Sequence, residues 1–276
     1  MTPEAGNDTT GLEPPSVDAH AHIWGETTPV ASTAWTHPDY AFPVETYVDL
    51  LDWHGIAHGV ISAASLFGTH SDYVLEALAA YPRLRATVVV EPETDARELA
   101  RLRDAGVVGV RLQWFLYEAL PNLAEDPWRG LLHRLRDLDL HVEININGAR
   151  IPQLIPAALE TGVKVVVDHF GWSDARLDPD GSGFETLLRA CQTGRCWVKL
   201  SAGYRYDDPV GTPARLARRL VMEAGTDRLF WGSDTPFVGM EDKVRYGDTV
   251  RHFAKWLPDA GVRRAISENA LRFYFG

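Results

Sequence analysis

Eight short apolar segments recur at regular distances along the chain, and this repeat limits the possible folds more than any other feature. The residues between the segments carry the amphipathic spacing and the terminal glycines of helices. Strands that alternate with helices in this way predict an α/β protein, a single-domain (β/α)8 TIM barrel. The predicted strands are residues 17–23, 59–63, 86–90, 107–112, 141–146, 163–169, 197–201 and 229–234.

A doubly wound open sheet is the alternative fold for such a repeat. That fold binds its ligand through a glycine-rich loop after the first strand. The first predicted strand carries histidines instead of such a loop, which favours the barrel.

Residues 1–15 lack periodicity and are rich in Thr, Gly, Pro and acidic residues. We therefore predict a flexible N-terminal arm over 1–15 and a barrel domain over 16–276.

The first strand also holds two histidines that are two residues apart. Residues 17–24 read Val-Asp-Ala-His-Ala-His-Ile-Trp. Side chains alternate along an extended strand, so we expect Asp18, His20 and His22 to share one face. Two imidazoles on one face can bind a divalent metal ion or polarise a carbonyl oxygen. Surface histidines or hydrogen-bonded core histidines are the alternative, because so short a motif often occurs by chance.

Polar residues also end most of the other predicted strands. In a TIM barrel the reactive side chains gather at the C-terminal ends of the strands, so these residues predict a site there. The asparagines among them have an alternative role, which is to satisfy backbone groups. The polar residues at the strand ends are His20, His22, Arg111, Gln113, Glu143, Asn145, Asn147, His169, Ser201, Tyr204, Arg205 and Asp234.

Charge and cysteine content limit the partners of the chain. The net charge is −11 and no basic stripe is visible, so we expect neither nucleic acid nor an anionic membrane as a partner, but a small molecule. The two cysteines, Cys191 and Cys196, do not form a Cys-x-x-Cys pair, which fits a reducing compartment. With no long apolar run and no basic leader, we expect a cytoplasmic protein. Whether it forms a homo-oligomer stays open.

Five motifs together resemble the amidohydrolase superfamily. They are Val-Asp-Ala-His-Ala-His at 17–22, Val-Asp-His-Phe-Gly at 167–171, Val-Lys-Leu-Ser at 198–201, Leu-Phe-Trp-Gly-Ser-Asp-Thr-Pro at 229–236 and Glu-Asn-Ala-Leu-Arg-Phe-Tyr at 268–274. The resemblance is strongest to the branch of sugar lactonases and 2-pyrone-4,6-dicarboxylate lactonase. It runs in order from about residue 17 to the end. It implies a (β/α)8 barrel that hydrolyses lactones.

The resemblance also implies catalytic roles for four residues. Asp234 would activate the attacking water, and His20, His22 and His169 would surround the carbonyl group or a metal ion. At most one divalent ion, zinc or manganese, would bind through His20, His22 and Asp234 with help from His169, and some relatives work without metal. A bridged metal pair is not expected, because residues 105–162 contain no lysine that could bridge it. The alternative role for Asp234 is a helix N-cap.

Further residues are implied in substrate binding. Arg111 and Arg205 fall where the related lactonases bind carboxylates, Ser65 falls near another such contact, and Tyr204 precedes Arg205. The related lactonases carry a second arginine soon after the first, where this chain has Tyr117, so a dicarboxylate substrate is not implied. The alternative for each arginine is a solvated surface charge.

Aromatic residues predict a flat substrate. The long connection at 25–43 is expected to cover the pocket with Trp35. Trp24, Trp114 and Trp172 lie at or beyond strand ends, where they form either an aromatic pocket or part of the core.

Three functions stay open at this point. The first is a hydrolase of a lactone or related cyclic ester that carries a carboxylate or an aromatic group. The second is a metal-dependent, non-oxidative decarboxylase of an aromatic or enoic acid, which would use the same ligands. The third is a barrel that binds a small acid without catalysis.

Overall fold

The predicted parallel strands are present. A computed structural model describes residues 8–171 and 181–276. Within these ranges the strands are β1 (Val17–Ala21), β2 (His58–Ile61), β3 (Leu84–Val88), β4 (Val107–Gln113), β5 (His141–Asn145), β6 (Lys164–Val167), β7 (Cys196–Leu200) and β8 (Leu229–Trp231). Each overlaps one predicted segment, and the differences lie at the ends of the segments.

Amphipathic helices connect the strands and cover the outside of the sheet. On one of them, Leu131, Leu132 and Leu135 are fully buried, as their spacing predicts. The helices of the described residues are α1 (Val44–Trp53), α2 (Asp72–Ala80), α3 (Ala96–Asp104), α4 (Trp128–Asp137), α5 (Ile151–Glu160), α6 (Ser182–Gln192), α7 (Gly211–Ala224), α8 (Tyr246–Trp256) and α9 (Ala260–Phe275).

The strands pair in sequence order into one parallel sheet that closes into a barrel. Neighbours follow the order β1 to β8. Beyond β8, the N–H of Asp234 donates to the carbonyl of His20 at 2.8 Å, and the N–H of His22 donates to the carbonyl of Thr235 at 2.8 Å. These bonds join the end of β1 to the end of β8. The (β/α)8 prediction is confirmed.

An aromatic layer fills the barrel at the N-terminal ends of the strands. We define it as Trp197, Phe230, Phe273 and Tyr274. Phe230 lies between Phe273 and Tyr274, with ring centroids 5.0 and 4.9 Å apart, and Trp197 contacts Phe273 at 4.7 Å. Because Phe273 and Tyr274 belong to α9, the last helix closes the barrel at the end opposite the polar strand ends.

Part of the predicted N-terminal arm lies outside the described residues. Residues 1–7 belong to that part, so the flexible arm stays a prediction. Among the described arm residues, Thr9 Oγ1 lies 3.1 Å from His54 Nδ1, and Glu13 forms a paired salt bridge with Arg264 at 2.8 Å. Within the described ranges, none of the helices has the length and apolar character that a membrane span requires.

Candidate active site

A cavity of about 300 Å³ opens at the C-terminal ends of the strands. Seven of the nine predicted catalytic and substrate-binding residues line it, while the other two, His20 and Tyr204, lie buried behind the wall. The barrel therefore brings together side chains that are up to 212 positions apart, from His22 to Asp234. The lining residues are His22, Trp35, Ala64, Ser65, Leu66, Arg111, Phe115, Asn145, His169, Arg205, Asp234 and Val238.

The strict alternation that we predicted for β1 is wrong at Asp18. The pairing of β1 with β2 shifts by one residue between Asp18 and Ala21, which is an irregularity of the bulge type. Asp18 accordingly contacts Tyr246 of α8 at 2.8 Å, on the helix side of the sheet. The extra residue turns His20 inward, so that it faces the site together with His22. A side chain at Gly232 would place its Cβ 2.5 Å from that of His20, so a glycine is required there.

Asp234 lies at the centre of the polar groups. Its Oδ2 accepts a hydrogen bond from the Tyr204 hydroxyl at 2.6 Å and lies 3.6 Å from Arg205 Nε. Its Oδ1 lies 3.3 Å from His22 Nε2 and 3.5 Å from His20 Nε2. Burial raises the pKa of Asp234, but His169, the contact with His22 and the charge of Arg205 outweigh it and hold the pKa well below its usual value. Asp234 is therefore an ionised carboxylate.

The alternative role of Asp234 as a helix N-cap is wrong, because the next helix, α8, begins only at Tyr246. The backbone of Asp234 instead adopts a left-handed conformation with φ of 65°. His169, Phe170, Ala202 and Phe237 share this conformation, with φ between 52° and 69°. A residue with a Cβ atom is disfavoured there by about 1–2 kcal/mol. Strained backbone is therefore concentrated just beyond β6, β7 and β8, beside the cavity.

His20 and His169 are neutral. Burial, reinforced by the charge of Lys199, lowers the pKa of His20 to about 3. Burial lowers the pKa of His169 to about 4, against the opposite effect of Asp234. The Nδ1 of His169 is hydrogen-bonded to Ser201 Oγ at 2.8 Å, and the His20 and His169 rings are 4.7 Å apart. Neutral imidazoles can each present one N–H and one lone pair to their surroundings.

A charged layer lies in the barrel between the aromatic layer and the cavity. We define it as Arg111, Glu143, Asp168 and Lys199, all of them buried. Arg111 contacts Asp168 Oδ2 at 2.8 Å and Glu143 Oε1 at 3.0 Å, and Lys199 contacts Glu143 Oε2 at 2.5 Å. Burial raises the pKa of Asp168, but Arg111, His20 and Lys199 outweigh it and keep the pKa well below its usual value. The layer thus pairs two cations with two anions.

Sequence reasoning did not assign roles to three of these four residues. Asp168 was only part of a motif, Lys199 was a mid-strand residue, and Glu143 was a strand-end polar group. A usable signal was present for two of them, because Asp168 and Lys199 each follow an inward-facing residue by two positions, Val166 and Trp197 respectively.

The predicted substrate-binding residues differ in how accessible they are. Arg111 lines the cavity, but its guanidinium already binds Asp168, Glu143 and the carbonyl of Ala63. Arg205 is one-quarter exposed, donates to the carbonyl of Val238 at 3.1 Å and packs over Tyr204. Neither is a solvated surface charge. Of the two, Arg205 is the more accessible to a ligand.

Aromatic side chains form one wall of the cavity. Trp35, from the long connection after β1, lines the cavity as predicted, and its Nε1 donates to Ser65 Oγ at 3.1 Å. Phe115 lines it as well, although no pattern in the sequence singles it out. Trp24 and Trp114 are buried in the core and do not line the cavity, so the aromatic-pocket interpretation is wrong for these two. Trp172 lies outside the described residues.

A chelated metal ion needs several nitrogen or oxygen ligands directed at one point. Two groups, His20 with His22 and Asp234, and His20 with Asp168 and His169, have donor atoms within 4.8 Å of one another in the described chain. Both groups include His20, which is already in contact with a cation. Its Nδ1 lies 3.2 Å from the ammonium of Lys199, which also lies 3.6 Å from Asp168 Oδ1. In the group of His20, Asp168 and His169, the ammonium of Lys199 is already the bound cation. In the group of His20, His22 and Asp234, only His22 keeps a nitrogen oriented as a ligand. These contacts do not fit a chelated ion.

Comparison with known proteins agrees with this geometry. A family described as Amidohydrolase matches residues 17–276. A 4-sulfomuconolactone hydrolase from Hydrogenophaga intermedia is 28% identical over 269 residues, which covers 92% of this chain and 86% of that protein.

Two solved structures share the fold over nearly their whole length. One, from Pseudomonas putida, is assigned as a 2-pyrone-4,6-dicarboxylic acid hydrolase; it is 33% identical, has a TM-score of 0.86 and covers 96% of this chain and 100% of its own. The other, from Acinetobacter baumannii, has the same assignment and holds citric acid. It is 28% identical, with a TM-score of 0.89, and the match covers 94% of this chain and 98% of its own.

Proposed function

The chain belongs to the amidohydrolase family and is an enzyme of that superfamily, and we propose that it hydrolyses a lactone or related cyclic ester of a small, acidic or aromatic molecule. The observation that carries the proposal is the position of Asp234. It is an ionised carboxylate at the wall of the cavity, in contact with Tyr204 and His22. The lactone hydrolases among the relatives support the choice of substrate class.

In the proposed reaction Asp234 acts as general base. It accepts a proton from a water molecule as the water oxygen attacks the lactone carbonyl carbon. His22 and His169 line the cavity on the same side, and His169, whose Nδ1 can accept a hydrogen bond from the Ser201 hydroxyl, is placed to donate from Nε2 to the developing oxyanion. When the ring C–O bond breaks, the leaving alkoxide takes up the proton that Asp234 accepted, and the product is a hydroxy acid.

Binding of the substrate would use the charged and aromatic walls. We assign Arg205 to an acidic group of the substrate, because a guanidinium donates charge-assisted hydrogen bonds to a carboxylate. Trp35 and Phe115 would pack against the ring, with Ser65 at its edge. Tyr204 would act from behind the cavity wall, through its hydrogen bond to Asp234. Arg111 would contribute from below, through the charged layer.

The proposal does not require a metal ion. We expect at most one equivalent of zinc or manganese per chain, and hydrolysis that survives dialysis against a chelator. We also propose a cytoplasmic location for the protein, which the free, buried thiols of Cys191 and Cys196 support.

Product analysis tests the proposal directly. Purified protein is incubated with monocyclic lactones that carry one carboxylate, with neutral lactones of the same ring size, and with aromatic and enoic acids. Ring opening is followed by proton NMR and release of carbon dioxide by trapping. We expect ring opening without carbon dioxide. Release of carbon dioxide would favour a decarboxylase, and saturable binding without any turnover would favour a non-catalytic barrel.

A further inference from the structure

Lys199 is fully buried, and its contacts account for all three of its protons. Its Nζ lies 2.5 Å from Glu143 Oε2, 2.9 Å from Ser62 Oγ and 3.2 Å from His20 Nδ1. An ammonium group has three protons to donate and no lone pair. The next neighbour, Asp168 Oδ1, is more distant at 3.6 Å. If Lys199 donates its three protons to its three closest neighbours, His20 Nδ1 is one of the acceptors.

Ser62 leads to the same assignment independently. Its hydroxyl oxygen accepts from Lys199 and lies 3.2 Å from His20 Nδ1. A lysine cannot accept the hydroxyl proton, whereas an unprotonated Nδ1 can. Asp168 Oδ1, 3.3 Å from the same Nδ1, favours the opposite arrangement. If Nδ1 carried a proton, however, the Lys199 ammonium and the Ser62 hydroxyl would be two buried donors that face a third donor instead of an acceptor.

We infer that Lys199 and Ser62 are positioning residues that hold His20 as the tautomer with its proton on Nε2. That Nε2 is buried and has no hydrogen-bond partner in the part of the chain that the structure describes. It faces Asp234 Oδ1 at 3.5 Å. His20 thus presents an N–H to the carboxylate and orients it for its reaction with water, a role that rests on the proposed function of Asp234.

His22 has the opposite arrangement, although it is only two residues away. Its Nδ1 lies 2.8 Å from the backbone carbonyl of Ser62, so Nδ1 donates there and Nε2 can carry a lone pair. A metal chelate needs an unprotonated nitrogen from both histidines. Ser62, through its carbonyl and its hydroxyl, therefore makes the two imidazoles unequal, and the His-x-His pair of this chain does not act as a chelate.

Nitrogen NMR of the imidazoles reads the tautomer without any substrate. Protein labelled with ¹⁵N in histidine is recorded at pH 7.5, and the His20 signals are assigned with the variant His20→Gln. We expect Nδ1 of His20 in the unprotonated range and Nε2 in the protonated range, with the reverse for His22. A protonated Nδ1 on His20 would overturn the inference.

Two variants test whether Lys199 sets the tautomer. The double variant Lys199→Met with Glu143→Gln removes one cation and one anion, so the buried charge stays balanced. We expect His20 to change to the Nδ1–H tautomer, with Asp168 as its new partner. The control, Glu143→Gln alone, keeps Lys199 and should keep the parent tautomer. An unchanged tautomer in the double variant would show that Lys199 has no positioning role.

Zinc uptake and kinetics give two further readouts. After incubation with zinc chloride and gel filtration, we expect one equivalent of zinc on the double variant and no stoichiometric zinc on the parent. Stoichiometric zinc on the parent, bound by His20 and His22, would overturn the inference. On a lactone that the parent hydrolyses, kcat of the double variant should fall about 10–100-fold with little change in KM. Because NMR needs no turnover, the tautomer assignment and the proposed lactone hydrolysis can fail separately.

Discussion

The aromatic layer and the charged layer occupy the same barrel, yet they are built in opposite ways. On β7, Trp197 belongs to the first and Lys199 to the second, two residues further along the strand. Val166 of β6 packs against the aromatic layer, and Asp168, two positions further and just beyond the end of β6, binds Arg111. A step of two residues, about 6.5 Å, thus changes the interior from apolar packing to ion pairing.

The difference shows what each layer contributes. Apolar burial stabilises the fold and tolerates substitutions that conserve volume. Buried ion pairs contribute little net stability, because desolvation offsets most of their attraction. What the charged layer supplies is orientation, since each side chain has fixed partners. We therefore expect changes near the charged layer to act mainly on the reaction and on the response to pH, and changes in the aromatic layer to act mainly on stability.

The largest effect is expected at Asp234, on the cavity side of the charged layer. Asp234→Asn keeps the size of the side chain but removes the base, so kcat should fall by about 10²–10⁴-fold. The free energy of unfolding in urea should change much less than the activity does. Asp49→Asn, an exposed change on α1, is the matched control and should leave both unchanged. Parent-level turnover by Asp234→Asn would remove Asp234 from the mechanism.

The next effect is a loss of stability in mild acid. His20 and His169 have pKa values near 3 and 4 in the folded protein, against about 6.5 in the unfolded chain. Between pH 6.5 and about 4 the unfolded chain therefore binds more protons, and stability falls as the pH falls. From pH 6.5 to 5.0 each histidine should lower the free energy of unfolding by about 1.5 kcal/mol. Asp168 and Asp234, whose pKa values are lowered, lose their contribution only below about pH 4.

Urea unfolding at pH 7.5, 6.5, 5.5 and 5.0 measures this slope. His169→Asn removes one of the two titrating groups and should make the slope shallower. His54, whose pKa burial lowers to about 4, contributes to the slope in both proteins and cancels in the comparison. An identical slope in parent and variant would show that His169 is not held neutral by the fold.

How much of this could be predicted from the sequence differs between the two layers. Alternation and apolar spacing predicted the strands, the helices and the barrel, because these patterns depend on local geometry. The pairs Lys199–Glu143 and Arg111–Asp168 join strands that are 56 and 57 residues apart, and a single sequence does not show which charges meet. The inward turn of His20 depends on one extra residue in β1. Strict alternation of side chains does not predict such an irregularity.

Arg205 should affect binding more than it affects the reaction. Arg205→Met removes a charge-assisted hydrogen bond worth about 1.5–3 kcal/mol, so KM for an acidic lactone should rise about 10–150-fold. For a neutral lactone of the same ring size the change should be small. Arg97→Met, on the exposed side of α3, is the control and should leave KM unchanged for both substrates. Equal effects of Arg205→Met on the acidic and the neutral lactone would show that Arg205 does not bind the acidic group.

The smallest effects are expected from one substitution, phenylalanine to leucine, made once in the aromatic layer and once at the cavity. Phe230 of the aromatic layer is fully buried between two rings, whereas Phe115 lines the cavity and is about one-third exposed. Phe230→Leu removes ring contacts that nothing replaces, so it should destabilise the fold by about 1–2 kcal/mol while kcat/KM stays within about twofold of the parent. Phe115→Leu should do the reverse.

For Phe115→Leu we expect a change in stability below about 0.5 kcal/mol and a several-fold rise in KM, because the lost ring packs against the substrate and not against the core. Urea unfolding measures the stability of both variants, and initial rates on one lactone measure the kinetic constants of both. If Phe230→Leu lowered kcat/KM of the folded protein as much as Phe115→Leu, the two layers would be coupled. The barrel interior would then have to be treated as one unit, because strain in the packed end would reach the reacting end through the ion pairs between them.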